Sequence, residues 1–217
     1  MKILILIPCM EFLDKPFVQS LLNIDWPEGC QHEVKMSGST LVHVARERLG
    51  EHAIYYSDAD YVLWFDSDMV FEPDIVKRML ESIEGKDFLS ALYFNRRPPF
   101  SPVISTDLKM DMDGFITATP VISYKKEIME IRGCGFGCVM MTRKILQDVK
   151  ERYKSMFAML SNGIVGEDYS FCAKALMCGY KLYCDTRITL GHMTDTKVTE
   201  DTYKGFNPKV NNLFPKN

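Results

Sequence analysis

Residues 61–74 read YVLWFDSDMVFEPD. Tyr61 to Phe65 form a short apolar run, the pattern of a strand buried on both faces. The run ends abruptly at Asp66-Ser67-Asp68. Pro73 and Asp74 then open a segment in which Ile75, Val76, Met79, Leu80 and Ile83 recur at helical spacing. A buried strand that passes through a turn into a helix is one unit of an α/β sheet. The two carboxylates admit three readings: a site for a hard cation, a phosphoryl-transfer nucleophile, or a plain acidic turn. In an extended chain residues i and i+2 point to the same side, so Asp66 and Asp68 would face one ligand.

The segments on either side repeat the pattern. KILILIP, ending at Pro8, is a second continuous apolar run and reads as a buried strand. DKPFVQSLLNI follows, with Phe17, Leu21 and Ile24 at helical spacing and Pro16 in the first turn. EVKMSGS reads as a short strand. Ser39 or Thr40 then caps a helix to about Tyr56, with Val42, Ala45, Leu49 and Ala53 on one face. DFLSALYF is a further strand. The first ~95 residues therefore read β-α-β-α-β-α-β, which implies a mostly parallel, Rossmann-like sheet flanked by helices. Ligands of such sheets bind beyond the carboxyl ends of the strands, where Pro8 and Asp66 sit.

The second half is less regular. RRPPFSPVISTDLKMDMDGF reads as loop with edge strands, EIMEIRGCGFGCVMMT as one glycine-bearing strand, and RKILQDVKERYKSM as a helix. GEDYSFCAKALMCGY reads as a helix ended by Gly179, followed by the strands YKLYCD and ITLGHM. With no repeat and no linker, residues 1–195 read as a single domain. Residues 1–100 and 101–195 read as its two halves, and the polar 196–217 as a tail.

The 217 residues are 47% hydrophobic and 25% charged, enough to bury a core without disulfide staples. The formal net charge of −3 argues against a nucleic-acid partner. Seven cysteines, an odd number without zinc-like spacing, read as reduced thiols of a cytoplasmic protein. No apolar stretch is long enough for a transmembrane segment.

Three other places invite chemistry. Glu167-Asp168 opens a helix, where acidic residues favour the macrodipole, and an acid held there near a cation is also a candidate general base. His192 follows Gly191 at the end of a strand and is a candidate ligand for a Mn²⁺-like metal. Gly133, Gly135 and Gly137 alternate along a strand. They either make room for a packing contact or leave a floor against which a ligand lies.

Taken in order, ILILIP, VARERL, YVLWFDSDMVFEPDIVKRML, LSALYFNRRPP, IRGCGFGCVMMTRKIL and GEDYSFCAKALMCGYKLYCDTRITLGHM resemble the GT-A fold glycosyltransferases, especially family-2-like bacterial and phage enzymes. The resemblance spans residues ~1–195 and rests on the order of the pieces more than on D-x-D alone. It implies a nucleotide-sugar donor (a UDP-sugar favoured, a GDP-sugar second) and a carbohydrate, lipid-linked or protein acceptor. It implies that Asp66, Asp68 and His192 hold Mn²⁺ or Mg²⁺. Asp168 would be the base of an inverting enzyme, with Glu167 supporting the acceptor. Pro8, Cys9, Arg46 and Ser67, together with the two aspartates, would lie against the nucleotide. The chain departs from the family where PCMEF replaces the usual T-x-N and where MSGST replaces acidic residues that hold base and ribose.

Two other functions compete. DSDMV also fits the D-x-D-x-[TV] of haloacid-dehalogenase-type phosphatases, with Asp66 as nucleophile, although that motif belongs on an earlier strand. The third possibility is a catalytically inactive nucleotide- or carbohydrate-binding remnant of the GT-A fold.

Overall fold

The computed structural model describes residues 1–110, 116–160, 165–194 and 197–206. The first half runs β1 (Lys2–Cys9), α1 (Lys15–Leu22), β2 (Gln31–Gly38), α2 (Val42–Tyr55), β3 (Tyr61–Phe65), β4 (Met69–Val70), α3 (Ile75–Ile83) and β5 (Phe88–Leu92). The second half begins with β6 (Ile104–Met110), β7 (Ile116–Pro120), β8 (Ile128–Ile131), β9 (Gly133–Cys134), β10 (Cys138–Thr142) and α4 (Arg143–Tyr153). It continues with α5 (Glu167–Met177), β11 (Leu182–Thr189), β12 (Gly191–Met193), β13 (Lys197–Val198) and α6 (Glu200–Phe206).

Seven strands form the main sheet in the order β2-β1-β3-β10-β5-β11-β8. β1 pairs in parallel with β2 and β3, and β5 with β11. β10 and β8 run against their neighbours. The expected mostly parallel α/β sheet is present, with one addition that local pattern did not reveal. β10, from the second half, inserts between β3 and β5. Its residues Cys138 to Met141 are all buried, as a strand with neighbours on both sides requires.

Side-chain alternation divides the core between the two faces of this sheet. Leu4, Leu6, Val62 and Trp64 face one way and pack with Leu49 of α2, Leu146 of α4 and Phe171 of α5. Ile3, Ile5, Ile7, Leu63 and Phe65 face the other way and pack with Phe17 of α1 and Val76, Met79 and Ile83 of α3. β2 is one of the two edge strands and is exposed almost throughout, with His32, Glu33 and Lys35 along it. Such charge protects an unpaired strand edge from another chain.

Several local expectations are corrected. The helix after β2 begins at Val42, with Leu41 in the capping position; the Ser39 hydroxyl accepts the Leu41 N–H at 3.1 Å. Val42 is exposed, and Arg46 and Gly50 join Ala45, Leu49 and Ala53 on the buried face. The single strand expected over EIMEIRGCGFGCVMMT is three strands, β8, β9 and β10, because the glycines between them bend the chain into different sheets.

The region 196–217, expected to be a tail, lies partly outside the described residues. Within it, β13 pairs with β12, and α6 docks against the fold. Tyr203 of α6 is 1% exposed, stacks on Phe94 at 5.3 Å and donates to the Ile122 carbonyl at 2.6 Å. Tyr203 is the buried anchor of α6, helped by Phe206 against Phe100 and by Glu200 with Tyr124 and Lys126. Tyr203→Ala should cost about 3–5 kcal/mol, the usual range for deleting a buried ring, while Tyr203→Phe should cost about 1 kcal/mol for the lost hydrogen bond. Urea unfolding midpoints check this. Equal costs for both variants would show that the ring does not anchor α6.

Candidate active site

The parallel strands all point their carboxyl ends at one edge of the sheet, and a cavity of about 380 Å³ lies there. β1 contributes Pro8 and Cys9, α2 contributes Arg46, and the turn after β3 contributes Asp66, Ser67 and Asp68. The start of α5 contributes Glu167 and Asp168, and β12 contributes His192. All nine residues singled out in the sequence therefore line one cavity. Met10, Ser39, Thr40 and Arg96 line it too. Ser39 and Thr40 had been read only as helix caps. The parallel pairing of Cys9 with Gly38 places the chain after β2 beside the end of β1.

The two aspartates do not reach the cavity as neighbours on an extended strand. β3 stops at Phe65, and Asp66 to Asp68 form a turn in which the Met69 N–H bonds the Asp66 carbonyl at 3.3 Å. The turn sends the two carboxylates to different partners. Asp66 Oδ1 accepts Arg46 Nη2 at 2.7 Å. Asp68 Oδ2 accepts Arg96 Nη1 at 3.1 Å and lies 3.4 Å from His192 Nε2.

Arg46 is the centre of one half. It is 2% exposed, its Nε donates to Glu167 Oε1 at 3.0 Å, and its guanidinium lies over the rings of Phe136 and Trp64 at 5.2 and 6.0 Å. Burial works against its charge, but Asp66, Glu167 and Asp168 together outweigh that and hold its pKa above the usual value. Burial pushes the Asp66 carboxyl up; Arg46 opposes the push and nearby Asp68 adds to it. Asp66 keeps 27% of its side chain exposed, so water in the cavity softens the effect. Asp168 is pushed up to about 6 by burial and by the adjacent Glu167, although the Tyr169 N–H and Arg46 favour its anion.

His192 is the centre of the other half. Its Nδ1 lies 2.8 Å from the Phe94 carbonyl, which can only accept, so Nδ1 carries a proton. In the neutral ring that leaves the Nε2 lone pair facing Asp68, and two lone-pair donors at this separation repel each other unless a cation or proton lies between them. Asp68 Oδ1 is buried without a hydrogen-bond partner among the described residues. An orphaned carboxylate oxygen beside an imidazole lone pair fits a divalent cation. No group of three or more His, Cys, Asp or Glu side chains among the described residues is gathered to hold a metal by itself. Asp66, expected as a ligand, is already engaged by Arg46. A cation here would take its other ligands from a bound molecule and water, as Mg²⁺-like ions commonly do.

The alternating glycines make room for packing rather than for a ligand. A Cβ on Gly135 would overlap the Tyr93 hydroxyl, and one on Gly137 would lie 2.8 Å from the same ring. One on Gly133 would lie 2.6 Å from Tyr169. Tyr93, buried beneath the cavity, stands edge-on to His192 at 5.3 Å.

No family model matches the chain, and a comparison with curated proteins finds no match. Among solved structures, A197 from STIV superposes with a TM-score of 0.66 at 20% identity, over 93% of this chain and 92% of that one. TarS residues 1–349 from S. aureus, crystallised in complex with UDP, superposes with a TM-score of 0.52 at 14% identity. That match covers 85% of this chain and 57% of the TarS chain. These likenesses establish the fold: a single-domain, mixed α/β, GT-A-like architecture with helices on both faces of the sheet. Among the described residues no helix is long and apolar enough to cross a membrane.

The raised Asp168 pKa has a measurable consequence. Folded, Asp168 takes up its proton near pH 6, against roughly 3.9 when unfolded, so the native state binds more protons between those values. Stability from this group is therefore full below pH 4 and is lost as pH rises through 6. Asp168→Asn removes the penalty and keeps an oxygen for the Tyr169 N–H. In buffer free of divalent cations the variant should exceed wild type by on the order of 1–2 kcal/mol at pH 8 and match it near pH 4. Denaturant titrations at both pH values test this; a variant less stable than wild type at pH 8 contradicts it.

Proposed function

We propose that this chain is a metal-dependent glycosyltransferase that moves a sugar from a nucleoside-diphosphate sugar to a hydroxyl acceptor. The observation that carries the proposal is the gathering of Asp68, His192, Asp168 and Arg46-anchored Glu167 in one cavity at the carboxyl edge of the sheet. Four carboxylates meet one buried and one exposed guanidinium there. Such a cavity repels an anionic donor unless a cation enters as well. The UDP bound by TarS, which shares the fold, supports a nucleoside diphosphate, with UDP favoured over GDP.

In this proposal Pro8, Cys9 and Ser67, with Ser39 and Thr40, line the side of the cavity that takes the nucleotide. Asp68 and His192 hold Mn²⁺ or Mg²⁺, which when bound neutralises the charge that grows on the diphosphate as the glycosidic bond breaks. Arg46 fixes Asp66 and Glu167 in place, and its Nη1, without a hydrogen-bond partner among the described residues, is left for the nucleotide. Asp168 takes the proton of the acceptor hydroxyl, in the manner of an inverting enzyme. A carboxyl that titrates near 6 is mostly ionised at pH 7 and is a stronger base than an ordinary aspartate. Such base catalysis supplies roughly 10²–10⁴-fold. Glu167, held by Arg46, orients a carbohydrate, lipid-linked or protein acceptor beside it. The phosphatase alternative needs Asp66 as a free nucleophile; the 2.7 Å bond from Arg46 ties down one of its oxygens and speaks against that role.

Thermal melts with UDP and GDP, each with and without Mn²⁺, test the proposal. At a nucleotide concentration 100-fold above Kd, binding should add about 2.7 kcal/mol, or roughly 5–10 °C in Tm for a domain of this size. The rise should require Mn²⁺ and disappear in Asp68→Ala. A rise that needs no cation, or that Asp68→Ala retains, contradicts the site.

A further inference from the structure

Arg96 has no role in the chemistry above, yet it lines the cavity. It holds the same Asp68 oxygen that faces His192, and the other oxygen of that carboxylate has no hydrogen-bond partner among the described residues. The Arg96 side chain is 56% exposed, against 22% for Asp68 and 12% for His192. Its backbone is anchored. Phe94, two residues earlier, bonds His192 through its carbonyl. The Asn95 N–H bonds the Ser101 carbonyl at 2.9 Å, and the Phe100 N–H bonds the Arg97 carbonyl at 2.9 Å. Arg96 thus combines a fixed base with a tip that is free to leave.

We propose that Arg96 is a ligand of the donor diphosphate that rests on Asp68 when the cavity is empty. This rests on the assignment of Asp68 to a cation site. A guanidinium and a divalent cation at one carboxylate repel each other, and a cation between Asp68 Oδ2 and His192 competes for the oxygen that Arg96 holds, so cation binding favours release of Arg96. A guanidinium also matches phosphate oxygens through paired N–H donors, so the arriving diphosphate gives it a better partner than the carboxylate it loses. The consequence is coupling. The cation alone competes with Arg96 and binds weakly, whereas cation and diphosphate together release Arg96 to a new contact and bind tightly. Arg96 opposes the metal by itself and favours the metal with its donor.

Mn²⁺ titrations followed by electron paramagnetic resonance, without nucleotide and with UDP or GDP, test this on wild type, Arg96→Gln and Arg96→Lys. Arg97→Gln, whose side chain does not line the cavity, is the control. Arg96→Gln should tighten Mn²⁺ alone on the order of fivefold, as expected for loss of one exposed competing charge. It should weaken nucleotide binding in Mn²⁺ on the order of tenfold, as expected for loss of a charged hydrogen bond. Arg96→Lys should stay near wild type for Mn²⁺ alone and recover part of the nucleotide affinity. If both constants move the same way, or neither moves, while wild type binds Mn²⁺ with nucleotide, the role of Arg96 is refuted and the site stands. If wild type binds no Mn²⁺ even with UDP or GDP, the cation site fails and the inference fails with it.

Discussion

A guanidinium buried in the core organises one half of this cavity. Arg46 comes from α2, Asp66 from the end of β3 and Glu167 from the start of α5, and no neighbour in sequence could bring them together. Burying that charge is unfavourable unless it is paired on several sides. Asp66, Glu167 and the ring faces of Trp64 and Phe136 supply those sides. Removing Arg46 leaves Asp66 and Glu167 without their shared counter-charge, a loss of about 3–5 kcal/mol in comparable buried pairs. The ion pairs thus tie the packing of α2 and α5 to the geometry of the acidic edge.

That tie divides the carboxylates by their partners. Asp66 and Glu167 spend their charge on Arg46. Asp68 keeps one oxygen without a partner among the described residues and lies beside His192, and Asp168 has a proton affinity raised toward neutrality. A D-x-D pair is often pictured as two equivalent ligands. Here the turn after β3 separates them, so that Asp66 pairs with Arg46 while Asp68 faces Arg96 and His192.

Much of this was legible in the sequence because it is local. β1, β3 and β5 are continuous apolar runs, α3 has a clear apolar face, and a pair of aspartates directly after YVLWF marks a ligand edge. What was not legible depends on contacts distant in sequence. β10 looks like any buried strand, and nothing local says that it inserts between β3 and β5. The alternating glycines left a packing contact and a ligand floor both open, and only the fold shows that the space belongs to Tyr93 and Tyr169. Residues 200–206 are polar in pattern, and buried Tyr203, the Glu200 contacts with Tyr124 and Lys126, and the Phe206 contact with Phe100 hold them. Arg46 was visible only through resemblance to a family, because a buried arginine on a helix has no local signature. Arg96 was indistinguishable from its exposed neighbour Arg97 until the fold placed it over Asp68.

The central claim is that Asp68 and His192 form the protein side of a divalent-cation site at the sheet edge. Crystals grown with Mn²⁺ and UDP, measured for anomalous scattering from manganese, test it most directly. A peak at roughly 2.1 Å from both Asp68 and His192, bridged to the diphosphate, is the expected result. A diphosphate bound in the cavity with no manganese at Asp68, or manganese bound elsewhere, would contradict it.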